Sequence, residues 1–163
     1  MPSLYRNIYS SPLGNLLLEA DEKAIIRLHF LKEEEPTHIT TLSPLLRNCI
    51  QQLDEYFSGE LKQFNLPLNQ SGTPFQQRVW AALQDIGFGK TATYGQLSRK
   101  LGNSKAIRAV GAANGKNDMA IIVPCHRVIG ADGSLVGYAG GLWRKKWLLD
   151  HEATYGNGQQ TLF

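Results

Sequence analysis

The chain is poor in cysteine, with only Cys49 and Cys125 among 163 residues, which excludes a disulfide framework. Two free thiols suit a reducing compartment, so a cytoplasmic location is expected. Long hydrophobic runs are missing as well. Stretches such as Ala120-Ile121-Ile122-Val123 fall far short of a membrane span, and the amino terminus has no basic segment followed by an apolar core. Neither an anchor nor a leader is expected. Cys49, His29 and His38 lack zinc-ligand spacing, so no metal and no cofactor are expected.

A hydrophobic content of 42% is enough for a core without staples. The charge is unevenly placed. Residues 1–72 hold 6 Lys and Arg against 9 Asp and Glu, while residues 73–163 hold 11 against 5, so the halves carry −3 and +6. A basic second half suits a polyanionic partner, although a charge of this size is also common on solvated surfaces.

Three short strands are predicted over 5–10, 15–19 and 24–30, broken by Ser11-Pro12-Leu13-Gly14 and Asp21-Glu22-Lys23. An antiparallel meander is the simplest arrangement. In the third strand Ile26, Leu28 and Phe30 alternate with Arg27 and His29, which assigns His29 to the wet face. After an acidic loop at 33–36, Ser43 caps a helix with Pro44 at its first position and Gly59 at its end. Its apolar stripe is Leu46, Cys49, Ile50, Leu53, Tyr56 and Phe57, so Cys49 reads as a packed, inert thiol.

Residues 65–72 read as an extended connection. The boundary falls there, giving an amino-terminal α/β domain over 1–72, a second domain over 73–155 and a tail over 156–163. Thr73 caps a helix whose face is Phe75, Val79, Leu83 and Ile86. Thr93-Tyr94-Gly95-Gln96 is a capping-box pattern, and Ser104 is the expected cap of the helix that follows. Two short helices joined by Leu101-Gly102-Asn103-Ser104 have the helix-turn-helix pattern, the second carrying Lys105, Arg108 and Lys116 among small residues such as Ala109. Tight helix packing explains the alanines equally well.

The β-branched run Ala120 to Val123 reads as a short buried strand ended by Pro124, which sets Cys125 at a strand end. A thiol is a good nucleophile only as thiolate, and that needs a nearby base, cation or helix amino terminus. His126 and Arg127 are adjacent in sequence. Adjacency does not guarantee contact, since neighbours on an extended chain point to opposite sides.

The run Pro124-Cys125-His126-Arg127-Val128 resembles the signature of the O6-alkylguanine-DNA alkyltransferases. So do Arg108-Ala109-Val110-Gly111, Asn117, Gly137-Tyr138-Ala139-Gly140-Gly141 and Lys146-Trp147-Leu148-Leu149-Asp150-His151-Glu152, in family order and spacing. The likeness is strong from Thr73 to Glu152 and one of layout before that. It implies a two-domain α/β chain: a ribonuclease-H-like antiparallel sheet with a helix, then a mainly helical winged helix-turn-helix domain. It also implies a protein used once, in which Cys125 takes the alkyl group from guanine O6, and from thymine O4, in double-stranded DNA. His126 would receive the thiol proton through a water, Glu152 would orient His126, and Asn117 would brace the cysteine turn. Tyr94 would donate a proton to the leaving base. Arg108 would fill the stack left by the rotated base, with Ala109, Lys105 and Arg127 also at the DNA. Val128, Gly137, Tyr138, Ala139 and Gly140 would line the base pocket.

No membrane partner is implied, and the expected state is a monomer able to cluster on DNA. Two departures stand out. Asp118 replaces a proline common after the asparagine, and Ala139 stands where some members have serine. Without the resemblance Tyr94 reads first as a packed first-turn aromatic, while the 137–141 loop is compatible with a hairpin turn and Arg108 with a phosphate contact. The alternatives are a non-catalytic binder of alkylated bases, against which Cys125 argues, and a cysteine hydrolase with a Cys-His-Glu triad.

Overall fold

Turn residues at 11–14 and 21–23 divide the first thirty residues into β1 (Tyr5–Ser11), β2 (Gly14–Ala20) and β3 (Ile25–Phe30), an antiparallel sheet in sequence order. The computed structural model describes residues 3–32 and 38–156. The acidic loop at 33–36 and residues 157–163 of the expected tail lie outside the described residues. The chain forms two compact units, Met1–Ser71 and Gly72–Phe163.

In the first unit β2 is the central strand, and Leu16, Leu17, Leu18 and Ala20 are all buried, so both of its faces are covered. β3 departs from strict alternation. Ile25 and Leu28 are fully buried, whereas Ile26, Phe30 and the expected surface residue His29 are half-buried. The cause is a bulge where β3 passes Glu19 and Ala20, which adds one residue and turns Ile25 inward. The expected connection after residue 65 is partly strand-like: Ile25 N–H donates to Pro67 C=O at 2.8 Å, and Asn69 N–H to Ile25 C=O at 2.9 Å. On the opposite edge Thr40 N–H donates to Arg6 C=O at 3.1 Å.

Helix α1 (Pro44–Phe57) starts as its cap predicts, with Ser43 Oγ accepting Leu46 N–H at 3.2 Å. Cys49 is buried in its stripe, and burial pushes this thiol up to about 12. It is inert at neutral pH.

The second unit contains α2 (Pro74–Leu83), β4 (Ala92–Thr93), α3 (Tyr94–Lys100), α4 (Ile107–Gly115), β5 (Val128–Ile129) and α5 (Leu142–Tyr155). Thr73 with Gln76, and Thr93 with Gln96, make complete capping boxes. Trp80, which the predicted face omitted, is buried and its Nε1–H donates to Ala113 C=O at 2.9 Å, tying α2 to α4. A Cβ at Gly72 would stand 2.4 Å from that indole, so only glycine fits there. Val128 and Ile129 pair in parallel with Ala92 and Thr93.

Helices α3 and α4 and the turn at Gly102 (φ 85°) form the helix-turn-helix. Ser104 is not the cap. Asn103 Oδ1 accepts Lys105 N–H at 3.0 Å and Asn103 C=O accepts Ala106 N–H at 3.1 Å, so the tight turn consumes these residues and α4 starts only at Ile107. The chain is thus a mixed α/β protein, an antiparallel-sheet unit followed by a mainly helical winged helix-turn-helix unit. Among the described residues no helix is long and apolar enough to cross a membrane.

Candidate active site

The run before Cys125 is not a strand. Asn117 holds it as a compact turn: its Oδ1 accepts Met119 N–H at 3.0 Å, and its Nδ2 donates to Val123 C=O at 2.9 Å. Val123 N–H returns to Met119 C=O at 3.0 Å, and Ile121 is driven to φ 71°. A β-branched residue in that region is strained, and such strain persists only where surrounding bonds over-determine it. These side-chain bonds defeat the β-propensity on which a strand was expected.

Pro124 then opens a single 3-10 turn, Cys125–Arg127. Successive side chains on such a turn point about 120° apart. His126 is fully buried, with Nε2 2.8 Å from Glu152 Oε2 on α5, and Glu152 is only 1% exposed. Arg127 reaches the same carboxylate, Nε to Oε1 at 2.7 Å and Nη2 to Oε2 at 3.0 Å. Its Nη1 donates to Ile86 C=O, and its guanidinium lies 5.8 Å from the Phe88 ring centre. Arg127 was expected at the DNA, and that is corrected: it is 7% exposed and committed to Glu152. A basic half misleads about a cation whose counter-ion is 25 residues away.

The electrostatics fix the protonation states. Burial raises the Glu152 carboxyl, but His126 and Arg127 outweigh it and hold the group well below the usual carboxylate range. An ionised carboxylate only accepts, so Nε2 of His126 carries the hydrogen and Nδ1 keeps its lone pair. Burial also lowers the His126 pKa against the pull of Glu152, which keeps the ring neutral. Its Nδ1 is buried and has no partner among the described residues. Burial raises the Cys125 thiol too, opposed by a bond from Asn117 and by the charge of Lys145. The resting thiol is protonated, and His126, next in the chain, is a neutral imidazole with a lone pair on Nδ1.

Tyr94, first residue of α3, is half-buried and its hydroxyl donates to Val136 C=O at 3.2 Å. Burial, then the charge of Cys125, raises its pKa, so it keeps its proton. Gly137 has φ 61°, and a Cβ there would sit 3.7 Å from the Tyr94 hydroxyl, which makes the 137–141 loop a wall beside that phenol. Tyr138 is close to both Cys125 and Glu152, and burial followed by their charges raises its phenol well above 10.0. Ala139 is exposed, Gly140 C=O accepts Arg144 Nη1 at 2.9 Å, and Val128 is fully buried in β5. Lys105, Arg108 and Ala109 lie exposed at and before the start of α4, apart from the buried cluster.

Lys145 escaped the sequence reading. It is fully buried, its Nζ donates to Val136 C=O at 2.8 Å and Gly137 C=O at 3.1 Å, and burial lowers it to about 8. Its signal was available, since it precedes Glu152 by two helical turns and so shares its face.

This geometry defines a class of protein: a buried thiol, an imidazole and a carboxylate behind a helix-turn-helix. Comparison with known proteins makes it specific. The family described as 6-O-methylguanine DNA methyltransferase, DNA binding domain, matches residues 74–154, and its ribonuclease-like domain matches residues 4–70. A methylated-DNA–protein-cysteine methyltransferase of Methanosarcina acetivorans is 46% identical, covering 93% of this chain and 99% of its own. The constitutive one of Bacillus subtilis is also 46% identical, over 83% and 87%. The crystal structure of the Mycobacterium tuberculosis O6-methylguanine methyltransferase superposes with a TM-score of 0.86 at 42% identity, covering 96% and 97% of the two chains. One of the OGT of the same organism in complex with DNA gives 0.85 at 45%, over 93% and 94%. The chain belongs to the methylated-DNA–protein-cysteine methyltransferase family.

Proposed function

We propose that the protein repairs DNA by one irreversible transfer of an alkyl group from guanine O6, and from thymine O4, to Cys125. The observation that carries this is the buried pair of neutral His126 and ionised Glu152, which follows the buried Cys125 on the same turn. His126 Nδ1 takes the thiol proton through a water. The sulfur attacks the alkyl carbon in line as the carbon–oxygen bond breaks, and the electron pair leaves with the base. Tyr94 gives its proton to the departing base anion, for which a phenol kept protonated by burial is suited. The product is a thioether with no leaving group, so the protein is spent.

A base in a duplex cannot reach a buried thiol and must rotate out, at a cost of a few kcal/mol. Arg108 is exposed beside Ile107, itself 46% exposed, an arrangement suited to filling the vacated stack. Arg108→Ala is expected to slow repair of duplex DNA at least about tenfold while leaving reaction with a free alkylated base nearly unchanged. Equal losses in single-turnover assays on both substrates would refute this role. Affinity for undamaged duplex should fall steeply between 50 and 200 mM salt, as phosphate contacts require. Filter binding checks it.

The deciding experiment is intact-protein mass spectrometry after incubation with a single-lesion duplex. One alkyl group on Cys125 per lesion removed is expected. Many lesions consumed per molecule would instead favour the hydrolase.

A further inference from the structure

The Glu152 carboxylate is gripped by more than the histidine it orients. Its Oε2 accepts from His126 Nε2–H at 2.8 Å and from Arg127 Nη2–H at 3.0 Å, and its Oε1 accepts from Arg127 Nε–H at 2.7 Å. The guanidinium is itself held from another side. Its Nη1 donates to Ile86 C=O, just past the end of α2, and its Cζ lies 5.8 Å from the Phe88 ring centre. These contacts leave Arg127 only 7% exposed. A planar fork seated in this way fixes both the plane of a carboxylate and the share of its charge that other donors can reach.

The acceptor of the thiol proton has to be empty when the damaged base arrives. A buried carboxylate facing an imidazole alone favours a second proton on the ring, because the anion then gains its only counter-charge. An imidazolium cannot accept from a thiol. Arg127 counters that pull twice: it occupies Oε1 and shares Oε2, leaving His126 a single hydrogen bond, and its own charge opposes a second positive charge on the adjoining ring. The other charges acting on His126 come from α5, where Lys145 works in the same direction as Arg127 and Glu152 works against both. Cys125, Tyr94 and Tyr138 stand protonated at rest and add no charge.

We infer that Arg127 is a positioning residue for the transfer, whose fork on Glu152 fixes that carboxylate against His126 Nε2–H and leaves the ring free to accept the thiol proton. This rests on the alkyl-transfer reading and deepens it. As the reaction runs, the thiol proton passes through a water to Nδ1, the Nε2 hydrogen stays in place, and the sulfur electron pair forms the bond to the alkyl carbon. The carboxylate, already oriented, faces the new imidazolium without moving. Arg127 acts through Glu152, and its part is to set how acid the medium can become before the base is lost.

The test uses the full chain and a single-lesion O6-methylguanine duplex, with single-turnover rate constants read by mass spectrometry of Cys125 from about pH 5 to 8.5. The fraction of protein that reacts counts the folded molecules, so the rate constant reports the site even in a less stable variant. The wild-type rate is expected to fall only below pH 6.5, where the folded protein's His126 takes a proton. Arg127→Met keeps bulk without charge and should raise the midpoint of that fall by at least about one pH unit, a loss approaching tenfold on the acid side that narrows to about threefold or less by pH 8.5. Arg127→Lys restores a charge and should bring the midpoint back to within about half a unit of the wild type. A methionine variant slowed equally at every pH, or a lysine variant displaced as far as the methionine one, would overturn the assignment. Failure of the alkyl-transfer reading has a different signature: the wild type would leave Cys125 unmodified at every pH.

Discussion

Cys125→Ala is expected to leave every O6-methylguanine in place in a single-lesion duplex while still binding that duplex, a complete separation of transfer from recognition. The reason lies in the site's layout. Cys125 is buried and protonated at rest, with a bond from Asn117 and the charge of Lys145 favouring its thiolate and the neutral His126 ring as the proposed base. Removing sulfur removes the only atom that can form the thioether, while Lys105 and Arg108, exposed at the start of α4, are untouched. Gel-shift titration and mass spectrometry on the same preparation read both quantities. Residual transfer by the alanine protein, or alkylation mapped to another residue, would remove Cys125 from its place. Cys49 is the internal control, because burial holds its thiol near 12 and its replacement should leave the rate unaltered.

The second large effect concerns stability. Glu152→Ala leaves the Arg127 guanidinium buried without its anion and His126 without the acceptor of its Nε2–H. Breaking a buried pair from one side costs about 3–5 kcal/mol, which in a chain of this size lowers Tm by on the order of 10 °C. Adding Arg127→Leu should recover part of the loss, since no uncompensated charge then remains. Calorimetry that finds the double variant as unstable as the two singles summed would show that packing, not charge, is at stake.

The same pair sets the acid response. Glu152 is depressed below 4.5 and His126 below 6.5 in the folded state, so over both windows the unfolded chain binds more protons. Stability therefore rises with pH there. Acidification should destabilise the protein first through His126, below about pH 6.5, and again through Glu152 below about 4.5. A flat midpoint between pH 7 and 5 in denaturant titrations would contradict the buried neutral imidazole.

Much of this was legible in the sequence because local signals were strong. Thr73-Pro74 and the Thr93 capping box place α2 and α3 correctly, and Cys49 falls where periodicity buries it. The motif Pro124 to Val128 pointed to the nucleophile, and Glu152 arrives on the helix expected of it. What failed was non-local. The Ala120–Val123 run has the composition of a strand, but three bonds from one side chain, Asn117, fold it as a turn. Arg127 was expected at the DNA, but its partner is the Glu152 carboxylate, 25 residues away. Lys145 stands between Arg144 and Lys146, and only its register with Glu152 distinguishes it.

The small pairings on the outer strands of the first unit have a consequence for the protein in bulk. Thr40 occupies part of the β1 edge and Leu68 with its neighbours part of the β3 edge. An open strand edge is a template for pairing with a second copy, and that hazard grows with concentration. A molecule consumed one per lesion has to be stocked rather than recycled, and partly covered sheet margins reduce that hazard as its concentration rises.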